Sequence, residues 1–237
     1  MRFMIMHKMT AEMEKGGRPD QAIIEGVGAL IADAKETFVG GEGLKPSSER
    51  VHIKYQGGER TITDGPFTEA KELVAGFALM QVRSKEEAIA WTDRFAAAFG
   101  DVELFMGPVV EPWDLGFVPK PENPPLRFLA MHQLNECAEH APDPQRMARM
   151  GVLVEEMTKA GVLLATGGLT GTERGARIRF EGKTPTVIDG PFAESKELIA
   201  GYAILSLPSR EAAIAWGLRF GEVVKVNEVE VREMPEW

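Results

Sequence analysis

The chain has one cysteine, Cys137, in 237 residues. That excludes an intrachain disulfide and any cysteine-rich metal site, and it suits a reducing compartment. Basic residues are also scarce: 27 Lys+Arg stand against 36 Asp+Glu, a net charge of −9, and each half of the chain is acidic in sum. A surface of that sign neither releases counterions from nucleic acid nor meets anionic headgroups, so no nucleic-acid or membrane partner is expected. Long apolar runs are missing too. No stretch is long enough to span a bilayer, and the apolar run from Arg2 to Met9 is too short for a secretion signal with its flanks. These absences predict a soluble, cytoplasmic protein. Cofactor fingerprints are equally absent, because neither Gly40-Gly41-Glu42-Gly43 nor Thr166-Gly167-Gly168 is followed by Lys-Ser/Thr at phosphate-loop spacing. No histidine stands at metal-ligand spacing from a second histidine or a carboxylate. No cofactor and no metal are therefore expected.

What the chain does have is a repeat. Asp64-Gly65-Pro66-Phe67 returns unaltered as Asp189-Gly190-Pro191-Phe192, 125 residues later, and an acid, a lysine and another acid follow each copy: Glu69, Lys71, Glu72, then Glu194, Lys196, Glu197. The same offset relates Arg2-Phe3 to Arg127-Phe128, His7 to His132, and Ala88-Ile89-Ala90-Trp91 to Ala213-Ile214-Ala215-Trp216. Residues 114–125 carry four prolines and little periodicity, the composition of a semi-rigid linker. The chain thus divides into residues 1–113, the linker, and residues 126–237.

Within each copy the pattern predicts strand, helix, strand, hairpin, strand, helix, strand. Arg2 to Met9 is a nearly continuous apolar run, the mark of a buried central strand on which Phe3, Ile5 and His7 share one face. Asp20 stands where it can cap a helix whose Ile23, Val27, Leu30 and Ile31 make one apolar stripe. Pro66 fixes its own φ and moves Gly65 out of the helical region, so the chain must turn there. Val74 to Val82 resumes as a long apolar strand, and Ser84 with Glu87 starts the second helix as a capping box. The fold class is α+β, two ferredoxin-like repeats. A sheet with helices on one face needs cover on the other, so the repeats are expected to pack sheet to sheet as an internal pseudo-dimer with pseudo-twofold symmetry.

The stretch from Thr63 to Phe77, Thr-Asp-Gly-Pro-Phe-x-Glu-x-Lys-Glu-Leu-x-Ala-Gly-Phe, resembles the DGPF family of YCII-related proteins, and residues 189–202 resemble it again. The resemblance implies the dimeric α+β barrel. Most members of that family have no assigned reaction. Some are similar to regulatory or accessory proteins encoded beside extracytoplasmic-function sigma factors, and a few broader relatives act on small aromatic or lactone compounds with a His and Asp pair. Here Pro19 to Ile24, where that histidine would stand, holds none, and the second copy has only His140 before Pro142.

The candidates for chemistry follow from residue type. His7 and His132 recur at equivalent strand positions and titrate near neutrality, so they are candidate acids or bases; a histidine in an apolar strand is more commonly a core residue. Asp64 and Asp189 are candidate partners of the histidines, or turn aspartates whose carboxylates hold the Gly-Pro turn through backbone N–H groups. On the turn reading, Asp64→Ala lowers stability while His7→Ala does not. Glu69, Lys71, Glu194 and Lys196 are candidate ligand-binding residues, or solvated charges. Two functional readings result. One is a small-molecule-binding or regulatory accessory protein, with a protein partner where the resemblance implies one. The other is a cofactor-free isomerase or lyase using His with Asp on a small, aromatic substrate.

Overall fold

The structure, a computed structural model, describes residues 1–67, 73–133, 143–182, 184–193 and 198–235. The first copy runs β1 (Arg2–Lys8), α1 (Ala11–Glu14), α2 (Gln21–Asp33), β2 (Phe38–Gly43), the hairpin β3 (Val51–Gln56) and β4 (Glu59–Asp64), β5 (Val74–Val82), α3 (Lys85–Phe99) and β6 (Val102–Pro108). The second runs β7 (Leu126–Gln133), α4 (Pro144–Lys159), β8 (Leu163–Gly168), the hairpin β9 (Ala176–Arg179) and β10 (Thr186–Asp189), β11 (Ile199–Ser206), α5 (Arg210–Val224) and β12 (Glu228–Met234). Ser84 and Ser209 cap α3 and α5, accepting from the backbone N–H of Glu87 and Ala212. Asp20 occupies the N-cap position of α2 but makes no side-chain cap bond there.

The strands form two six-stranded antiparallel sheets, ordered β10-β9-β12-β1-β11-β2 and β4-β3-β6-β7-β5-β8. Each sheet takes strands from both copies. In the first sheet β1 lies between β12 and β11 of the second copy, while in the second sheet β7 lies between β6 and β5 of the first. The sequence repeat and the spatial layer are therefore different divisions of the chain. Each ferredoxin-like unit is built from the first two strands of one copy and the last four of the other.

Alternation along the strands then builds three cores. Phe3 and Ile5 of β1 with Val229 and Val231 of β12 pack beneath α2 and α5, around Leu30, Trp216 and Phe220. Ile53, Leu104 and Phe128 do the same beneath α3 and α4, with Ala88, Leu153 and Met157. The opposite faces meet each other: Met4, Met6, Tyr202 and Ile204 of one sheet pack on Phe77, Leu79, Leu129 and Met131 of the other. At about 1.5–3 kcal/mol for each large apolar side chain removed from water, this inter-sheet layer makes the sheets one folded unit. The sheets stay open, joined by the bridge of Leu44 to Val109 and, at the symmetry-related place, by the N–H of Thr170 donating to the carbonyl of Glu233 at 2.9 Å. No helix among the described residues is long and apolar enough to cross a membrane.

Candidate functional site

The two Asp-Gly-Pro-Phe turns are near copies of one another. Gly65 donates its N–H to the carbonyl of Arg50 at 3.0 Å, and Gly190 donates to that of Gly175 at 3.3 Å. Both Gly-Pro peptide bonds are cis. A Cβ on Gly65 would lie 1.8 Å from the carbonyl oxygen of Ser47, and one on Gly190 would lie 1.7 Å from that of Thr172. The glycines are thus required by close backbone packing. The hydroxyls of Ser47 and Thr172 hold the turns, each accepting at 3.3 Å from the N–H of Phe67 or Phe192. Sequence reasoning missed this pair; an equivalent hydroxyl 17 residues before each aspartate was the available signal. The aspartates point outward. Asp64 is ion-paired with Lys85 at 2.8 Å and Asp189 with Arg210, both carboxylates being largely exposed.

The histidines lie elsewhere. His7 stands opposite Gly201 of β11, and His132 opposite Gly76 of β5. A Cβ on Gly201 would come within 2.8 Å of His7 Nε2, and one on Gly76 within 2.5 Å of His132 Cε1, so the glycine of each Ala-Gly-Phe/Tyr makes room for an imidazole. His7 meets Phe220 edge-on at 5.4 Å; His132 lies 5.2 Å from Phe95 and from Phe99. Burial, the largest cause, pushes each imidazole down to about 4, with Arg50 and Lys8 adding to the effect at His7. Both rings are neutral at pH 7. Asp189 is in register with Ala176, Val231 and Ile5, so it sits three strand spacings, roughly 14 Å, from β1. Asp64, through Val51, Met106 and Ala130, is as far from β7. Neither sheet brings its histidine and its aspartate together. Glu69, Lys71, Glu194 and Lys196 lie outside the described residues.

A different constellation lies on the inter-sheet face of the first sheet. Val229 and Val231 of β12 face the helices, so the intervening Glu228, Glu230 and Arg232 face the other sheet, as do Lys8 of β1 and Arg177 of β9. All five are buried. Arg177 Nη2 meets Glu230 at 3.1 Å and its Nε meets Glu228 at 3.3 Å; Arg232 Nη1 meets Glu230 at 3.1 Å. Arg177 also covers the ring of Phe192 at 4.2 Å and donates to the carbonyl of Ala193 at 2.9 Å. Half-exposed Arg179 shares Glu228 at 3.2 Å. Burial alone would push Glu230 up; Lys8, Arg232 and Arg177 outweigh it and hold the carboxyl below its usual range. The ammonium of Lys8, 2% exposed, has Glu230 at 3.8 Å and no hydrogen-bond acceptor among the described residues. Leaving a buried ammonium so weakly partnered costs on the order of several kcal/mol. Among the described residues of this face, three buried cations thus stand with two buried carboxylates.

The pseudo-twofold counterpart is chemically different. The positions of Lys8, Arg177 and Glu230 are held in the second sheet by Gln133, His52 and Phe105. His52 stacks on Phe105 at 4.6 Å and Phe67 meets it edge-on at 5.4 Å, with Met9 and Leu198 completing an apolar plug. One feature is kept by exchange. Arg232 in one sheet stands beside Gly175, whereas in the other Arg50 stands beside Gly107, each pair reversing the other at the 125-residue offset. Arg50 donates to the carbonyl of Lys45 at 2.7 Å, and Arg232 donates to that of Thr170, the equivalent residue.

A groove between α3, the end of α4 and the linker is lined by Arg83, Glu87, Trp91, Pro125 and Val162, and none of the candidate residues among the described ones lines it. Among the described residues no group of three or more His, Cys, Asp or Glu side chains is placed to hold a metal ion. No curated protein and no solved structure matches the chain. The family model of the YCII-related domain matches residues 1–104 and again residues 126–237. With the duplicated Asp-Gly-Pro-Phe turns and the paired ferredoxin-like sheets, that double match means the chain belongs to the YCII-related domain family, as a tandem duplication of the domain.

Proposed function

We propose that this YCII-related chain is a small-molecule-binding accessory protein whose site lies between the sheets, at the end marked by the second Asp-Gly-Pro-Phe turn. The observation that carries the proposal is the nearly buried, weakly partnered ammonium of Lys8 within a cluster of buried charges. A group of that kind is costly to the fold and is recovered when a ligand supplies the missing acceptor. The isomerase or lyase reading has less support, because it needs His7 or His132 within hydrogen-bond reach of Asp64 or Asp189, and the register puts three strand spacings between His7 and Asp189. A thermal-shift screen of small aromatic acids, lactones and common metabolites tests the proposal. At 100 times Kd a ligand stabilises the native state by about 2.7 kcal/mol, so a rise of several degrees is expected with the native chain and its loss with Lys8→Gln. A screen with no stabilising compound in either protein would overturn it.

A further inference from the structure

We infer that the ligand is a small monoanion, recognised through a carboxylate at Lys8, and that the tandem chain holds one such ligand rather than two. This rests on the small-molecule-binding reading above and adds the ligand's charge, its place and its stoichiometry.

The charge follows from the residues facing the site. From β1 comes Lys8, from β9 Arg177 with half-exposed Arg179, and from β12 Glu228, Glu230 and Arg232. Glu230 is spread over Arg177, Arg232 and Lys8, and Glu228 over Arg177 and Arg179. Both carboxylates accept from arginines, and Lys8 meets Glu230 at the longest distance of the set, 3.8 Å, with no hydrogen bond to its ammonium among the described residues. A carboxylate on Lys8 supplies both the missing acceptor and one negative charge against the three buried cations described on this face, whereas a neutral ligand supplies only the acceptor. Phe192 beneath Arg177 provides apolar surface for the ligand's body.

The stoichiometry follows from the pseudo-twofold axis. An ancestral pair of identical subunits would present two equal sites. Here Gln133 replaces the ammonium and Phe105 replaces Glu230, while His52 replaces Arg177 and is stacked on Phe105 and paired with Glu103 at 3.4 Å. Met9, Phe67, Phe105 and Leu198 then fill the volume. Arg50, the arginine kept there, donates to the carbonyls of Lys45 and Ile199 at 2.7 Å each. Lys8 and Glu230 of one sheet thus have uncharged or apolar counterparts in the other.

Calorimetric titration of the full chain with benzoate, and with benzamide as its neutral counterpart, tests both parts. Benzoate is expected to bind once per chain and at least tenfold more tightly than benzamide. Lys8→Gln, which installs the residue of the other end, should weaken benzoate at least tenfold, and His52→Ala should leave it within twofold. Lys8→Met keeps the apolar stem and replaces Lys8→Gln if that variant does not fold. Two benzoates per chain, equal affinity for benzamide, or unchanged affinity in the Lys8 variants would each overturn the inference. If a compound from the screen binds but benzoate does not, the monoanion assignment falls and the small-molecule reading stands. Absence of binding by every compound sinks both and leaves the cluster a purely structural network.

Discussion

His7 and Asp64 exchange the roles that their residue types suggest. Asp64 lies at the exposed end of β4 in an ion pair with Lys85, and such pairs contribute roughly 0–1 kcal/mol, so Asp64→Ala is expected to shift the urea midpoint little. His7 is packed between Phe220 and the backbone at Gly201, so His7→Ala opens a cavity and should cost about 2 kcal/mol or more by the same measurement. This reverses the sequence-based expectation for the pair. The histidines also set a pH dependence. Their folded values of about 4 lie below the ordinary value of 6.5, so between these the unfolded chain binds more protons. Their contribution is fully present above about pH 6.5 and is lost as pH falls toward 4, by up to about 3 kcal/mol for each histidine. Urea unfolding across that range should show stability falling with pH, and His7→Phe should flatten the fall. An unchanged slope would show that His7 is not buried neutral.

At the scale of elements, each Asp-Gly-Pro-Phe turn and the short helical turn before the hairpin, Ser47–Glu49 before β3 and Thr172–Arg174 before β9, are one packing unit. Gly65→Ala would drive a methyl into the carbonyl of Ser47, which is backbone and cannot swing away. A loss of about 3 kcal/mol or more is expected in thermal or urea unfolding, against a few tenths for Gly40→Ala in β2, where nothing lies within 4 Å of the added Cβ and the backbone is not left-handed. Comparable losses at both positions would mean that the contact with Ser47 is not close. The arginine–glycine exchange makes a second element-level point. Gly107 and Arg50 on neighbouring strands do what Arg232 and Gly175 do in the other sheet, so the guanidinium is kept while the strand that bears it changes. In the sequence these appear as unmatched residues, because the 125-residue offset aligns arginine with glycine at both places.

For the whole molecule, strand exchange ties the copies together. β1 lies between two strands of the second copy, and β7 between two strands of the first. Residues 1–113 expressed alone should therefore be soluble only as a dimer, and mixing them with residues 126–237 should give a one-to-one complex. Light scattering with size-exclusion chromatography reads both, and a stable monomer of either half would overturn the exchanged pairing. A layer of Met4, Met6, Tyr202, Leu129 and Met131 between the sheets gives the physical reason, since one half alone would expose it.

The sequence by itself determined the duplication, the α+β class, the order of elements and the face of β1 that His7 shares with Phe3 and Ile5, because periodicity and turn chemistry are local properties of a chain. Asp-Gly-Pro-Phe, at the same offset as its flanking elements, was enough to place a turn and to suggest the family. Only the tertiary structure decided which strands pair and which charges meet. Pairing across copies depends on the path of the linker and on burial over long separations, neither of which is written in any local pattern. Lys8 reads as one more polar residue at a strand end until β12 is laid beside β1 and Glu230 and Arg232 close over the same face. Burial then turned that ordinary lysine into a candidate ligand group, and it turned His7, the more conspicuous residue in the sequence, into part of the core.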